Sequence, residues 1–165
     1  MDNACHDVDR LMQAHGSQLL RLCAMLLRDA SLAQDAVQDT FLKAYRSYGS
    51  WRGESSAFTW LTAIAVNVCR DYRRTAWFRH VSRDRDVADL PERAVSFTFP
   101  DHTVITEVLH LPDPLREAVL LRYYQGLTHK EMAAALRISD RAVRLRLQKA
   151  NAILRERLKE WYENE

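Results

Sequence analysis

Residues that build turns are scarce in this chain. Four glycines and four prolines among 165 residues are few for a β protein, whose many short strands need turns rich in both. Three cysteines, Cys5, Cys23 and Cys69, stand at unrelated spacings. An odd number with no CxxC and no His/Cys pairing at zinc spacing argues against a disulfide framework or a structural metal. Cys5 and His6 are adjacent, a pairing open to a metal or redox role but more simply read as a chance terminal pair. Cys23 and Cys69 lie in apolar helical sequence and are expected to act as small hydrophobes. No apolar run approaches the roughly 20 residues of a membrane span, so membrane insertion is not expected. The opening MDNACHDVDR is acidic and polar, unlike a secretory signal, and the expected location is cytoplasmic. A Gly-rich phosphate loop, a nucleophile paired with a base and a metal-ligand set are all missing. The histidines (His6, His15, His80, His102, His110 and His129) are scattered. No catalysis and no cofactor are expected.

What is present favours helices. The chain is 47% hydrophobic and 28% charged, enough to build a core and unlike a disordered composition. Ala, Leu and Arg dominate, all good helix formers. The expected fold class is all-α. The net charge of +2 hides an uneven distribution. Residues 137–159 hold eight Lys/Arg against Asp140 and Glu156, and residues 70–85 hold six Arg against Asp71 and Asp84. Two separate basic segments suggest two contacts with one polyanion.

The pattern along the chain divides it. Residues 8–27 read as a first helix with Leu11, Leu19, Leu22 and Leu26 on one face. Ser31 and Gln34 form a capping-box pattern that predicts the start of a second helix. There Ala36, Val37, Thr40, Phe41, Ala44 and Tyr45 mark a buried face. On its other side Asp35, Gln38, Asp39 and Leu42 align at i, i+3, i+4 and i+7. Such a stripe is either a solvated face or a docking surface for a partner helix. Residues 48–57 (YGSWRGESSA) read as a loop, in which Trp51 must fold back or stack on something. A third helix follows over 58–74, with Trp60, Leu61, Ile64, Ala65 and Val68 on its core side. Asn67, Arg70, Asp71, Arg73 and Arg74 make the opposite side polar and largely basic. Aromatics near a basic strip suit single-stranded nucleic acid, because bases stack on rings while arginines track phosphates; a structural Trp/Phe cluster would look the same. Residues 81–101 lack periodicity, carry Pro91 and Pro100, and read as an interdomain linker. A short helix is expected over 103–110. Asp113 is the expected N-cap, and Pro114 the first residue, of a helix whose apolar face is Leu115, Val119, Leu120 and Tyr123. Gly126 ends it.

Residues 127–150 (LTHKEMAAALRISDRAVRLRLQKA) carry the most specific pattern. Thr128 and Glu131 form a capping box. Ile138 fills a tight turn, and Ser139 caps a second helix. Val143, Leu147, Ala150 and Leu154 give that helix one buried stripe. Arg141, Arg144, Leu145, Gln148 and Lys149 then point outward. A packed helix pair offering Arg and Gln from its second helix is how a helix-turn-helix enters a DNA major groove. A helical hairpin with a solvated basic face is the alternative.

At this point the chain resembles one family, the extracytoplasmic-function (ECF) group of bacterial sigma factors. The resemblance rests on DAVQDTFLKAYRSYGSWRGESSAFTWLTAIAVNVCRDYRR at 35–74 and LPDPLREAVLLRYYQGLTHKEMAAALRISDRAVRLRLQKA at 111–150, in that order and separation. It implies two small helical domains, 1–80 and 102–165, joined by a linker over 81–101. It implies that Asp35, Gln38, Asp39, Leu42 and Lys43 contact the clamp helices of the β′ subunit of core RNA polymerase. Ser50, Trp51, Arg52, Gly53, Glu54 and Ser55 would capture a base flipped from the −10 promoter element. Asn67, Arg70 and Arg74 would hold the non-template strand. Arg141, Arg144, Leu145, Arg146, Gln148 and Lys149 would read the −35 element as duplex DNA. A cognate anti-sigma factor is the further partner implied.

Two features depart from the family pattern. The recognition helix begins Arg141-Ala142-Val143 where relatives often carry Gly-Thr-Val, and Leu145 stands where a small polar residue is frequent. The −35 preference therefore does not transfer from a relative. Two rival readings are an operator-binding helix-turn-helix regulator that works without polymerase, and a pure protein-interaction module. The first leaves the aromatic loop and the third helix poorly explained. The basic recognition helix opposes the second.

Overall fold

The computed structural model describes residues 2–75 and 102–163. The linker expected over 81–101 lies outside the described residues. The described residues form helices and short turns, with no strand among them. The chain divides into two compact units, one within residues 1–90 and one within 91–165. None of the described helices is long and apolar enough to cross a membrane.

The first unit is a three-helix bundle. Helix α1 spans Asp2–Leu27, α2 spans Ala30–Ser47 and α3 spans Ala57–Arg74, and each packs on the other two. Leu19, Leu22, Met25, Leu26 and Leu61 are wholly buried at its centre. Each such side chain contributes about 1.5–3 kcal/mol by leaving water. Cys23 and Cys69 are buried among them and Cys5 is exposed, all three as free thiols.

The start of α2 differs from the expectation. Its N-cap is Asp29, whose carboxylate accepts from the Ser31 and Leu32 amides at 2.9 and 3.1 Å. The Ser31–Gln34 pattern does not start the helix. Arg28 turns the chain at φ 55°, and the charged oxygen of Asp29 reaches the free amides first. The buried face of α2 holds Ala33, Ala36, Thr40, Phe41 and Ala44, but Tyr45 is exposed. On α3 the core is rotated from the expected row. Leu61, Ala65 and Val68 are buried together with Thr62, Val66 and Cys69, while Trp60 and Ile64 are only half-buried.

In the second unit α4 (His102–Leu109), α5 (Asp113–Val119) and α6 (His129–Leu136) pack on the long α7 (Asp140–Glu163). Pro112, not Asp113, occupies the N-cap position of α5. Asp113 lies inside the helix and its carboxylate pairs with Arg116, so it does not cap. The expected exposure of the α5 continuation is also shifted by one residue. Leu120–Tyr124 forms a π turn, in which the Gln125 amide donates to the Leu120 carbonyl at 3.0 Å. A π turn inserts one extra residue into the register. Tyr124 is therefore buried, while Tyr123, expected in the core, is 53% exposed. Gly126 at φ 70° then lets the chain leave the turn.

Candidate nucleic-acid and partner interfaces

The helix pair α6–α7 is built as its sequence predicts. Thr128 and Glu131 complete both halves of the capping box at 3.1 Å each. Ser139 accepts from the Ala142 amide at 3.1 Å and opens α7. Between the helices Arg137 takes a left-handed conformation, φ 55°, and the Ile138 amide closes on the Ala133 carbonyl at 3.1 Å. This is the Schellman geometry that usually uses glycine. Val143, Leu147 and Ala150 are buried against the unit, and Leu154 is half-buried.

With that stripe inward, Arg141, Arg144, Leu145, Gln148 and Lys149 are exposed. Arg144 pairs through Nε with Asp140 at 2.9 Å, one turn earlier. The pair is solvent-facing, and such pairs contribute little to stability. It holds the guanidinium near the helix start, where a recognition helix meets base edges. Arg146 is different. It is half-buried, and its Nη1 is buried without a hydrogen-bond partner, so it sits at the edge of the outward row.

A second constellation lies at the loop between α2 and α3. Tyr48–Ser50 forms one 3-10 turn, and Ser56 caps α3 by accepting from the Thr59 amide at 3.1 Å. Trp51 folds back and stacks on Trp60, ring centres 4.9 Å apart and planes 12° from parallel. Tyr48 closes the cluster at 6.2 and 6.4 Å from the two indoles, and its hydroxyl donates to Asp7 on α1 at 2.9 Å. Beside the stack is an open cavity of about 310 Å³ lined by Ser50, Trp51, Arg52, Glu54, Ser55 and Trp60. Gly53, between Arg52 and Glu54 in the loop, holds φ 71°, a conformation that side chains beyond glycine adopt at a cost. The Ser50 hydroxyl donates to the Ser47 carbonyl at 2.9 Å. Trp60 thus belongs to the cavity as much as to the core. Its i, i+4 spacing from Ile64 pointed only to the core.

The residues expected on the strand-holding side of α3 are not equally available. Asn67 is half-buried, and its Nδ2 donates to the Ala63 carbonyl at 3.0 Å. Arg70 is half-buried and Arg74 exposed; Arg74 faces Asp71 at 3.5 Å. Arg73 points back to the C-terminal end of α1, with Nη1 3.5 Å from the Leu26 carbonyl.

The expected docking stripe on α2 is present and exposed in part. Asp35, Gln38, Leu42 and Lys43 are exposed, Leu42 at 54%. Asp39 is half-buried and accepts the Tyr72 hydroxyl from α3. Burial first, and that hydrogen bond second, push the Tyr72 pKa well above the ordinary tyrosine value. Lys43 lies 3.7 Å from Asp71. The structure adds a partner for Leu42 that the sequence did not reveal. An apolar groove of about 370 Å³ runs between α1 and α2, lined by Cys5, Val8, Met12, Phe41, Leu42 and Tyr45 with Asp9 and Gln38. Met12 and Tyr45 are exposed there. Their proximity depends on how α1 crosses α2, which periodicity within either helix cannot report.

Comparison with known proteins gives this arrangement a family. Residues 11–79 match Sigma-70 region 2, and residues 102–152 match Sigma-70, region 4. The RNA polymerase sigma-H factor of Pseudomonas aeruginosa is 31% identical over 156 residues, covering 86% of this chain and 81% of that protein. The ECF RNA polymerase sigma-E factor of Haemophilus influenzae is 32% identical, covering 75% and 73%. Among solved structures, the sigma factor RpoE in complex with the anti-sigma factor NepR from Bartonella quintana aligns at TM-score 0.71, 25% identity, and 91% and 97% coverage. CnrH in complex with the cytosolic domain of CnrY aligns at 0.67 and 25%, covering 93% and 88%. The chain belongs to the ECF group of sigma-70 family sigma factors.

Proposed function

We propose that the two units divide promoter recognition, and that the residues in the two constellations above carry it. As an ECF sigma factor the protein binds core RNA polymerase and directs promoter-specific initiation; the polymerase performs the chemistry and this chain none of it. The boundaries are 1–80 for the polymerase-docking and −10-reading domain and 102–165 for the −35 domain, with 81–101 connecting them.

The α7 helix lies in the major groove of the −35 element. Arg141, Arg144, Gln148 and Lys149 make base and phosphate contacts, and Leu145 supplies an apolar surface suited to a thymine methyl. Arg146, lying at the edge of the row, contributes a backbone contact at most. The cavity beside Trp51 and Trp60 receives an unpaired −10 base, and Arg70 and Arg74 track the phosphates of the same strand. Asn67 acts at the start of that track. Capture of a flipped base couples binding energy to strand opening. The α2 stripe of Asp35, Gln38, Asp39, Leu42 and Lys43 docks on the β′ clamp helices. The protein works where its polymerase works, in the cytoplasm. The anti-sigma factor NepR, named as the partner of RpoE, supports a cognate anti-sigma factor for this chain also.

The observation that carries the reading is the outward row of α7, four polar or cationic side chains and one leucine held by an inward stripe of Val143, Leu147 and Ala150. In vitro transcription with core polymerase on a promoter library tests it. Start sites sharing a −35 and a −10 motif are expected. Tight binding of the free protein to a palindromic operator, with no effect on core polymerase, would replace it with the operator-binding regulator.

A further inference from the structure

The loop between α2 and α3 is tied to α1 on both flanks. At its start the Tyr48 hydroxyl donates to the Asp7 carboxylate at 2.9 Å. Just past its end the Phe58 ring lies against His15, ring centres 5.2 Å apart and planes 43° from parallel. Asp7 and Tyr48 stand 41 positions apart along the chain, and both are half-buried. Asp7 also precedes residues 11–79, the part that matches Sigma-70 region 2, so the family match assigns it no role. Its bond reaches the cavity through one ring. Tyr48 packs with its centre 6.2 Å from that of Trp51 and 6.4 Å from that of Trp60, and those two indoles line the cavity. Trp60 stands on α3, but Trp51 stands in the loop. A side chain on a loop is placed less sharply than one on a helix unless other groups fix it. Ordering Trp51 only when a ligand arrives would draw on the binding energy, and ordering it beforehand avoids that cost. We propose that Asp7 is a positioning residue for strand opening: by holding the Tyr48 hydroxyl it fixes the ring against which the Trp51–Trp60 stack is set. The inference rests on the reading of the cavity as part of the site that holds the melted strand.

The test compares wild type with Asp7→Ala, Asp7→Asn, Tyr48→Phe and the double variant Asp7→Ala/Tyr48→Phe. Near-UV circular dichroism of the free protein reads the coupled signal of the two stacked indoles, and Trp51→Phe sets its zero. Binding to core polymerase reads docking. Permanganate reactivity of the −10 region, on a promoter selected by the wild-type holoenzyme, reads opening. Asp7→Ala and Tyr48→Phe are each expected to weaken the indole signal and to lower open-complex formation by about fivefold, the scale of one net hydrogen bond. Binding to core polymerase is expected to stay unchanged. Asp7→Asn keeps a side-chain carbonyl that accepts, so it should retain both the signal and the opening. The double variant should be no worse than either single one, since both remove the same bond. The His15–Phe58 contact and the Ser56 cap remain in all four variants, so α3 is expected to form in each. Loss of core binding in step with opening would overturn the proposal, because a merely structural role damages the whole unit at once. An indole signal unchanged in Asp7→Ala overturns the positioning role and leaves the strand reading standing. A weakened signal with normal opening overturns the strand reading of the cavity and the inference with it.

Discussion

Tyr72 on α3 donates its hydroxyl hydrogen to the carboxylate of Asp39 on α2. The bond ties the helix proposed to dock on polymerase to the helix proposed to hold the melted strand. Its loss in Tyr72→Phe should cost about 1 kcal/mol, the usual net value of one hydrogen bond. The pH dependence has a definite sign. Folding raises the Tyr72 pKa above its ordinary 10.0, so the folded state holds the proton more tightly. That contribution is intact below pH 10 and declines as the pH climbs above it. Thermal unfolding of wild type and Tyr72→Phe at pH 8 and above pH 10 checks this. The gap between them should narrow at the higher pH.

Leu42 offers a cleaner probe of docking than Asp39. Removing the Asp39 carboxylate also strands Tyr72, so affinity and fold change together. Leu42 is 54% exposed and lines the α1–α2 groove beside Met12 and Tyr45. Leu42→Ala should change stability by no more than about 0.5 kcal/mol in thermal unfolding, since exposed substitutions change stability little. It should weaken binding to core polymerase by more than about 1 kcal/mol, as for a buried interface residue. Normal co-purification with core enzyme would remove this stripe from the interface.

Arg144→Ala should weaken −35 duplex binding by about 1–3 kcal/mol. The Arg144–Asp140 pair is solvent-facing, so stability should hardly move. Fluorescence anisotropy on −35 duplexes carrying each base at each position gives the readout. A uniform loss across all of them would make Arg144 a phosphate contact.

Arg137 sits left-handed at the end of α6. A residue with a Cβ pays roughly 1–2 kcal/mol there. Arg137→Gly relieves that strain but gives the unfolded chain more freedom. The expected net result is a stabilisation of about 0.5–1 kcal/mol, read by chemical denaturation, with the −35 motif unaltered.

Arg116 is 4% exposed. Its guanidinium donates to the Leu109 and Leu111 carbonyls at 3.4 and 3.1 Å and to Asp113 at 2.5 Å. It thus closes the C-terminal end of α4 and ties it to α5. Arg116→Ala should destabilise the protein by about 2–4 kcal/mol, because buried acceptors lose their donors. A urea transition that leaves the midpoint unchanged would contradict this.

Local chemistry was legible wherever a residue meets its partner within one or two turns. The Thr128/Glu131 box, the Ser139 cap and the Val143–Leu147–Ala150 stripe are all of that kind, since helical spacing sets the contact. The same holds for the outward row of α7. Legibility failed where a nearby competitor intervened. Asp29 outcompeted Ser31 as a cap, Pro112 displaced Asp113, and one π turn moved Tyr123 out and Tyr124 in. A single inserted residue in the register leaves no mark in hydrophobic periodicity.

The sequence by itself determined the all-α character, the helix-turn-helix with its outward cations, and the family, because each rests on spacing within a helix or on the order of two motifs. Only the tertiary structure decided that Trp51 folds onto Trp60 and opens a cavity with Glu54 on its rim. It alone set Asp39 against Tyr72, and brought Leu42 and Met12, from two helices, to the walls of one groove. These placements bring together residues 9 to 33 positions apart along the chain. Their existence depends on how helices cross and how a loop closes, and no periodicity within one helix encodes either.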